Sequence, residues 1–170
     1  GHQNTPNVPE SAGPAAWRTG PDGRIVVAAH ALDRLYYVHG AKVHRDYFAA
    51  LLRLVHTAPM AEAALPSAGR LSLLHQPEQS RYVAHILYGP PIERGRCTVI
   101  EDLPELRDVR VRIRVPQRIA RLTLEPAGTQ LRIAESAAPP AESDGPASGW
   151  RVVETVVPAF SCHAAVVASY

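Results

Sequence analysis

The chain has 170 residues, of which 46% are hydrophobic and 20% charged, with a net charge of +2. That composition supports a packed core and excludes wholesale disorder, and so small a charge gives no reason to expect a nucleic-acid or membrane-surface partner. No apolar run approaches the ~20 residues a membrane-spanning helix requires, and no stretch of these residues reads as a signal peptide.

Residues 1–13, opening GHQNTPNVPE, are polar and Pro-rich without periodicity. They read as a loop that continues from an N-terminal region, so compartment is not legible here: cytoplasmic and secreted remain equally open. Ala15 to Arg18, then Gly20-Pro21-Asp22-Gly23, then Arg24 to Ala29 predict a β-hairpin, because Gly-Pro and Asp-Gly supply the backbone conformations a tight turn needs. Ala31 to Gly40 predicts a short helical turn with Leu32, Leu35 and Tyr36 inward. From His44 to His56, Tyr47, Leu51, Leu54 and Val55 recur at helical spacing, with Arg45, Asp46 and Arg53 opposite. This is an amphipathic helix, with Pro59 beyond its end. Residues 57–69 are rich in Ala and Pro and mark a junction, which predicts domains at 1–68 and 69–170.

Arg70 to Pro91, RLSLLHQPEQSRYVAHILYGPP, is two apolar runs joined by a polar link containing Pro, a second hairpin. Its second strand is apolar on both faces and belongs inside a sheet. His75 and His85 fall on the paired strands and are expected to face each other. A short strand at Cys97 to Ile100 follows. Val109, Val111, Ile113 and Val115 then alternate with Asp108, Arg110, Arg112 and Arg114, the period of a half-buried strand whose arginines all point outward. Ile119 to Pro126 and Thr129 to Ala134 predict another pair, and residues 135–148 a flexible low-complexity link. Trp150 to Val157 and Ala164 to Ser169 close the domain, with Pro158 to His163 between them. Roughly eight short strands predict an antiparallel β-sandwich, so the fold class is α+β, mainly β.

No chemical motif stands out. Cys97 and Cys162 are too few for a disulfide framework and lack metal spacing, so they are expected to be buried thiols. The eight histidines show no HxH, HExxH or Cys/His cluster. His39 and His44 are expected to flank the helix and hydrogen-bond locally. Neither a metal nor a cofactor is implied. Two carboxylates across a cleft would serve glycoside hydrolysis, but Asp33, Asp46, Glu62, Glu78, Glu93, Glu101 and Asp102 form no pattern that singles out a pair. Glu101 and Asp102 are adjacent and point apart on an extended backbone. Ser67 and Ser161 lack the GxSxG elbow. The stripe of Arg110, Arg112 and Arg114 has no aromatic interleaving and reads as a solvated face. Exposed rings stack on sugar faces; among Trp17, Tyr36, Tyr37, Tyr82, Tyr88 and Trp150, the candidates for such contact are Trp150, Tyr82 and Tyr88.

Three stretches, AAWRTGPDGRIVVAAHALDRLYYVHGAKVHRDYFAALLRLV, LPSAGRLSLLHQPEQSRYVAHILYGPPIERG and VIEDLPELRDVRVRIRVPQRIARLTLEP, together resemble the C-terminal region of multidomain bacterial glycoside hydrolases with a β-galactosidase trimerisation-like domain. These include α-L-fucosidase-like proteins and hypothetical glycosyl hydrolases. The resemblance implies a catalytic (β/α)8 barrel first, a flavodoxin- or glutamine-amidotransferase-like α/β domain next and a sandwich last. On that reading, the hairpin and helix before residue 69 are the remnant of the α/β domain. The barrel with its catalytic carboxylates has no counterpart in these residues, so no catalytic residue carries over. The implied role is an accessory region with the parent barrel as partner, forming a homo-oligomer. The alternatives are a free-standing carbohydrate-binding module and an independent enzyme using pairs such as His44 and Asp46.

Overall fold

The computed structural model describes residues 15–20, 23–137 and 149–170, and the expectations placed on residues 1–13, on the turn at 21–22 and on most of the low-complexity link lie outside them. The chain divides into two compact units, Gly1–Thr57 and Ala58–Tyr170.

The first unit holds a hairpin, β1 (Ala15–Gly20) and β2 (Gly23–Ala28), and two helices, α1 (Leu32–His39) and α2 (Lys42–Val55). α1 ends at Gly40, which adopts φ 62° and returns its N–H to the Tyr36 carbonyl. This left-handed cap suits a residue without a Cβ. β2 alternates, with Val26 and Ala28 lining an apolar cleft against Leu32, Leu51 and Val55. Leu32 and Leu51 are buried, whereas Ile25 and Val27 on the opposite face of β2 are 64% and 62% exposed. Tyr36, expected inward, is exposed instead, because α1 buries only the stripe through Leu32 and Leu35.

The second unit is an antiparallel sandwich. In chain order its strands are β3 (Ala61–Ala63), β4 (Arg70–Gln76), β5 (Arg81–Tyr88), β6 (Ile92–Arg94), β7 (Cys97–Val99), β8 (Leu106–Val115), β9 (Arg121–Glu125), β10 (Thr129–Gln130), β11 (Ala134–Ala137), β12 (Arg151–Phe160) and β13 (Cys162–Ser169). One sheet runs β10-β9-β13-β5-β4 and the other β11-β12-β8-β3. β6 and β7 pair as a separate hairpin. The fold is thus α+β and mainly β, as the alternation and turn spacing predict.

Between the sheets, the alternating apolar residues of each strand interlock. Tyr82, Ala84 and Ile86 of β5 meet Val109, Val111, Ile113 and Val115 of β8, with Leu122, Val153, Val157, Phe160 and Val166 completing the core. β5 lies between β13 and β4, the interior position its two apolar faces require.

Three local readings change. The Ala- and Pro-rich stretch 57–69 contains β3, which pairs with β8 through Glu62 opposite Arg112, and the start of the low-complexity link forms β11 against β12. Pro158, read as the start of a loop, lies inside β12, which turns into β13 over Ser161 alone. The ladder skips Pro158, for the paired residues run from Val157 with Val109 to Ala159 with Arg107. Asp108 opposite it takes φ 53°. A residue without an N–H is tolerated in a strand where pairing is interrupted, and the interruption shifts the inward phase so that Phe160 joins Val153 and Val157 in the core.

Candidate functional site

The three predicted sugar-stacking rings occupy three different settings. Tyr82 is 4% exposed. His75, directly opposite on β4, stacks on its ring at 4.2 Å between centroids. The Tyr82 hydroxyl donates to Gln117 Oε1 at 2.7 Å, and His75 Nε2 lies 2.9 Å from the Tyr170 hydroxyl. Burial, and secondarily the neighbouring Tyr170, pushes the Tyr82 phenol above its usual range, partly opposed by the bond to Gln117. His75, stacked on Tyr82, therefore ties Tyr170 to the hairpin, and the Tyr82 and Tyr170 rings lie 5.7 Å apart.

Tyr88 is half-buried in an apolar groove with Arg70, Leu87, Ile100, Leu103 and Cys162. It shares a face of β5 with Tyr82, but six residues at about 3.3 Å each separate them. Trp150 leads into β12 in the other sheet, with the Arg114 guanidinium 4.6 Å above its ring. The fold does not gather the three rings into one platform. Trp17, Tyr36 and Tyr37 belong to the other unit; of the Trp17 side chain nothing is described, and Tyr37 is 89% exposed.

Arg114 also corrects the arginine stripe. Arg110 and Arg112 point outward as alternation predicts, but Arg114 is 7% exposed. The Trp150 ring covers it, and a guanidinium is readily held against an aromatic face. Arg112 is flanked on the neighbouring strands by Glu62 at 2.9 Å and Glu154 at 3.5 Å, and Arg110 reaches Glu154 at 3.3 Å. The stripe is neutralised by carboxylates from β3 and β12.

Three further acidic residues are similarly engaged. Glu101 pairs with Arg94, and Glu135 with Arg151 at 2.6 Å. Asp46 pairs with Lys42 and with Arg45 at 3.1 Å. The hydrogen bonds from Lys42, then Arg45, hold its carboxyl below the usual range.

His75 and His85 do not face each other, since His85 lies opposite Ser72. His85 instead stacks on His163 of β13, with centroids 5.3 Å apart and planes 17° from parallel. Sequence reading missed this pair because the two residues stand 78 positions apart, and only the pairing of β13 with β5 joins them. His39 and His44 lie 6.5 Å apart at the helix junction, but His44 Nδ1 makes no hydrogen bond, contrary to the local bond expected. Both cysteines are free and exposed rather than buried: Cys97 ends the short β6–β7 hairpin turn, and Cys162 sits at the tight β12–β13 turn with φ 63°. Among the described residues no three or more His, Cys, Asp or Glu side chains gather as a metal site, and no helix is long and apolar enough to cross a membrane.

No protein-family model matches the chain, and no curated protein matches it in sequence. Among solved structures it is similar to α-L-fucosidase isoenzyme 2 from Paenibacillus thiaminolyticus, with a TM-score of 0.73 and 27% identity. The match covers 85% of this chain, more than the sandwich unit alone accounts for, but only 20% of that chain. The glycoside-hydrolase likeness carried by the sequence motifs is therefore present in the structure as a match to one part of such an enzyme.

Proposed function

We propose that this chain is a non-catalytic accessory region of a carbohydrate-active glycoside hydrolase, supporting its catalytic barrel and supplying subunit contacts. The observation that carries the reading is the structural match, which takes in most of this chain and only a fifth of an α-L-fucosidase. Two features of the molecule favour it. Asp46, Glu62, Glu101 and Glu135 are each engaged by an arginine or lysine and stand on separate segments of the chain. The first unit leaves Ile25, Val27, Val43 and Phe48 exposed, a surface suited to cover by another domain or subunit. In this reading the first unit is the remnant of a flavodoxin-like α/β domain, and the sandwich is a rigid support.

The purified chain should turn over no nitrophenyl glycoside, the α-L-fucoside included, and should not be retained on glycan affinity gels. Turnover by the chain alone overturns the reading in favour of an independent enzyme, and specific retention overturns it in favour of a carbohydrate-binding module. The positive arm uses the parent polypeptide. Deleting residues 15–170 should lower the melting temperature of the barrel or its oligomeric state, and an unchanged enzyme refutes the supporting role.

A further inference from the structure

The geometry points to a two-imidazole chelate for a divalent transition-metal ion on the outer face of the five-stranded sheet, formed by His85 of β5 and His163 of β13. The pair is diagonal across the ladder, since His85 registers with Ala165 and His163 with Leu87. All four side chains share a face, because residues two apart on a strand point the same way. His163 is exposed and His85 half-buried, so an ion has access from solvent while the rings are held by the sheet.

The decisive quantity is the bite. His85 Nδ1 and His163 Nε2 lie 3.1 Å apart. Metal–imidazole bonds of about 2.0–2.1 Å place nitrogens on adjacent tetrahedral vertices about 3.3 Å apart, and on adjacent square-planar positions about 2.9 Å apart. The observed separation falls between the two, so the nitrogens already stand at the spacing a chelate needs, and turning the rings would aim both lone pairs at one ion. Both nitrogens cannot carry a proton at that distance; one must offer a lone pair to the other, and a metal ion accepts lone pairs from both. Imidazole nitrogen selects Zn2+ or Ni2+ over hard cations such as Mg2+. With two protein ligands, water fills the other positions. The ion would then staple β13, the last strand, to the β4–β5 hairpin.

The test is titration of the full chain with Zn2+ at neutral pH, beside H85N, H163N and the double variant H39N/H44N, which removes the other close histidine pair among the described residues. One saturable Zn2+ with sub-millimolar affinity is expected for the wild type and for H39N/H44N. Affinity should fall by more than about tenfold in H85N and in H163N, since even outer-shell changes cost that much at metal sites. Paramagnetic broadening by Ni2+ should centre on β5 and β13 in the unaltered chain, a readout that stands should a variant misfold. The assignment is overturned by absence of saturable binding, by unchanged affinity in H85N and H163N, or by broadening centred on α1 and α2.

Discussion

At the scale of single residues, Tyr82 and Trp150 show how a ring suited to a ligand can be committed to its own fold. Tyr82 keeps its hydroxyl satisfied by Gln117 and its face covered by His75. Tyr82→Phe should therefore cost about 1 kcal/mol at neutral pH through the lost hydrogen bond, read by urea unfolding. The sign of its pH dependence follows from the raised phenol. Below pH 10.0 the folded and unfolded forms are both protonated and stability is unaffected. Above it the unfolded phenol ionises first, so stability falls, and the gap between wild type and Tyr82→Phe should narrow there. A gap that widens contradicts the assignment. Trp150 carries the buried Arg114 on its face, and Trp150→Ala should lower stability by about 2 kcal/mol for a desolvated cation–π contact. Thermal unfolding checks this, and an unaffected melting temperature would mean that the ring faces solvent.

At the scale of elements, the two units respond differently to the same truncation. Ile113 of β8 is 2% exposed within the sandwich core and Ile25 of β2 is 64% exposed. Ile113→Ala should destabilise by about 2–5 kcal/mol, from lost transfer energy and the cavity left behind. Ile25→Ala should stay within about 0.5 kcal/mol in the isolated chain. Chemical denaturation separates the two cases. Should the hairpin face be covered in the proposed parent hydrolase, Ile25→Ala would become costly there and only there, a comparison that ties the element to the proposed role.

At the scale of the whole molecule, the sandwich of Ala58–Tyr170 owns a continuous core, whereas among the described residues of the first unit only Leu32 and Leu51 are buried large side chains. A polypeptide of residues 58–170 should unfold cooperatively, with a melting temperature close to that transition in the full chain. Residues 15–57 alone should be largely unfolded, since domains near ~40 residues rarely hold without added constraints; circular dichroism decides both. Sequence alone determined the helix pair, the hairpin of β4 and β5, the alternation of β8 and the mainly-β class, because period and turn chemistry are local properties of a backbone. It also carried the likeness to glycoside hydrolases, through motifs that mark structure and not catalysis. Only the tertiary structure decided that Arg114 turns under Trp150, that Pro158 stays within a strand, that Tyr82 is walled in, and that His85 meets His163. Each of these depends on which strand lies beside which. That choice is made by burial summed over the whole core, and no window of neighbouring residues contains it.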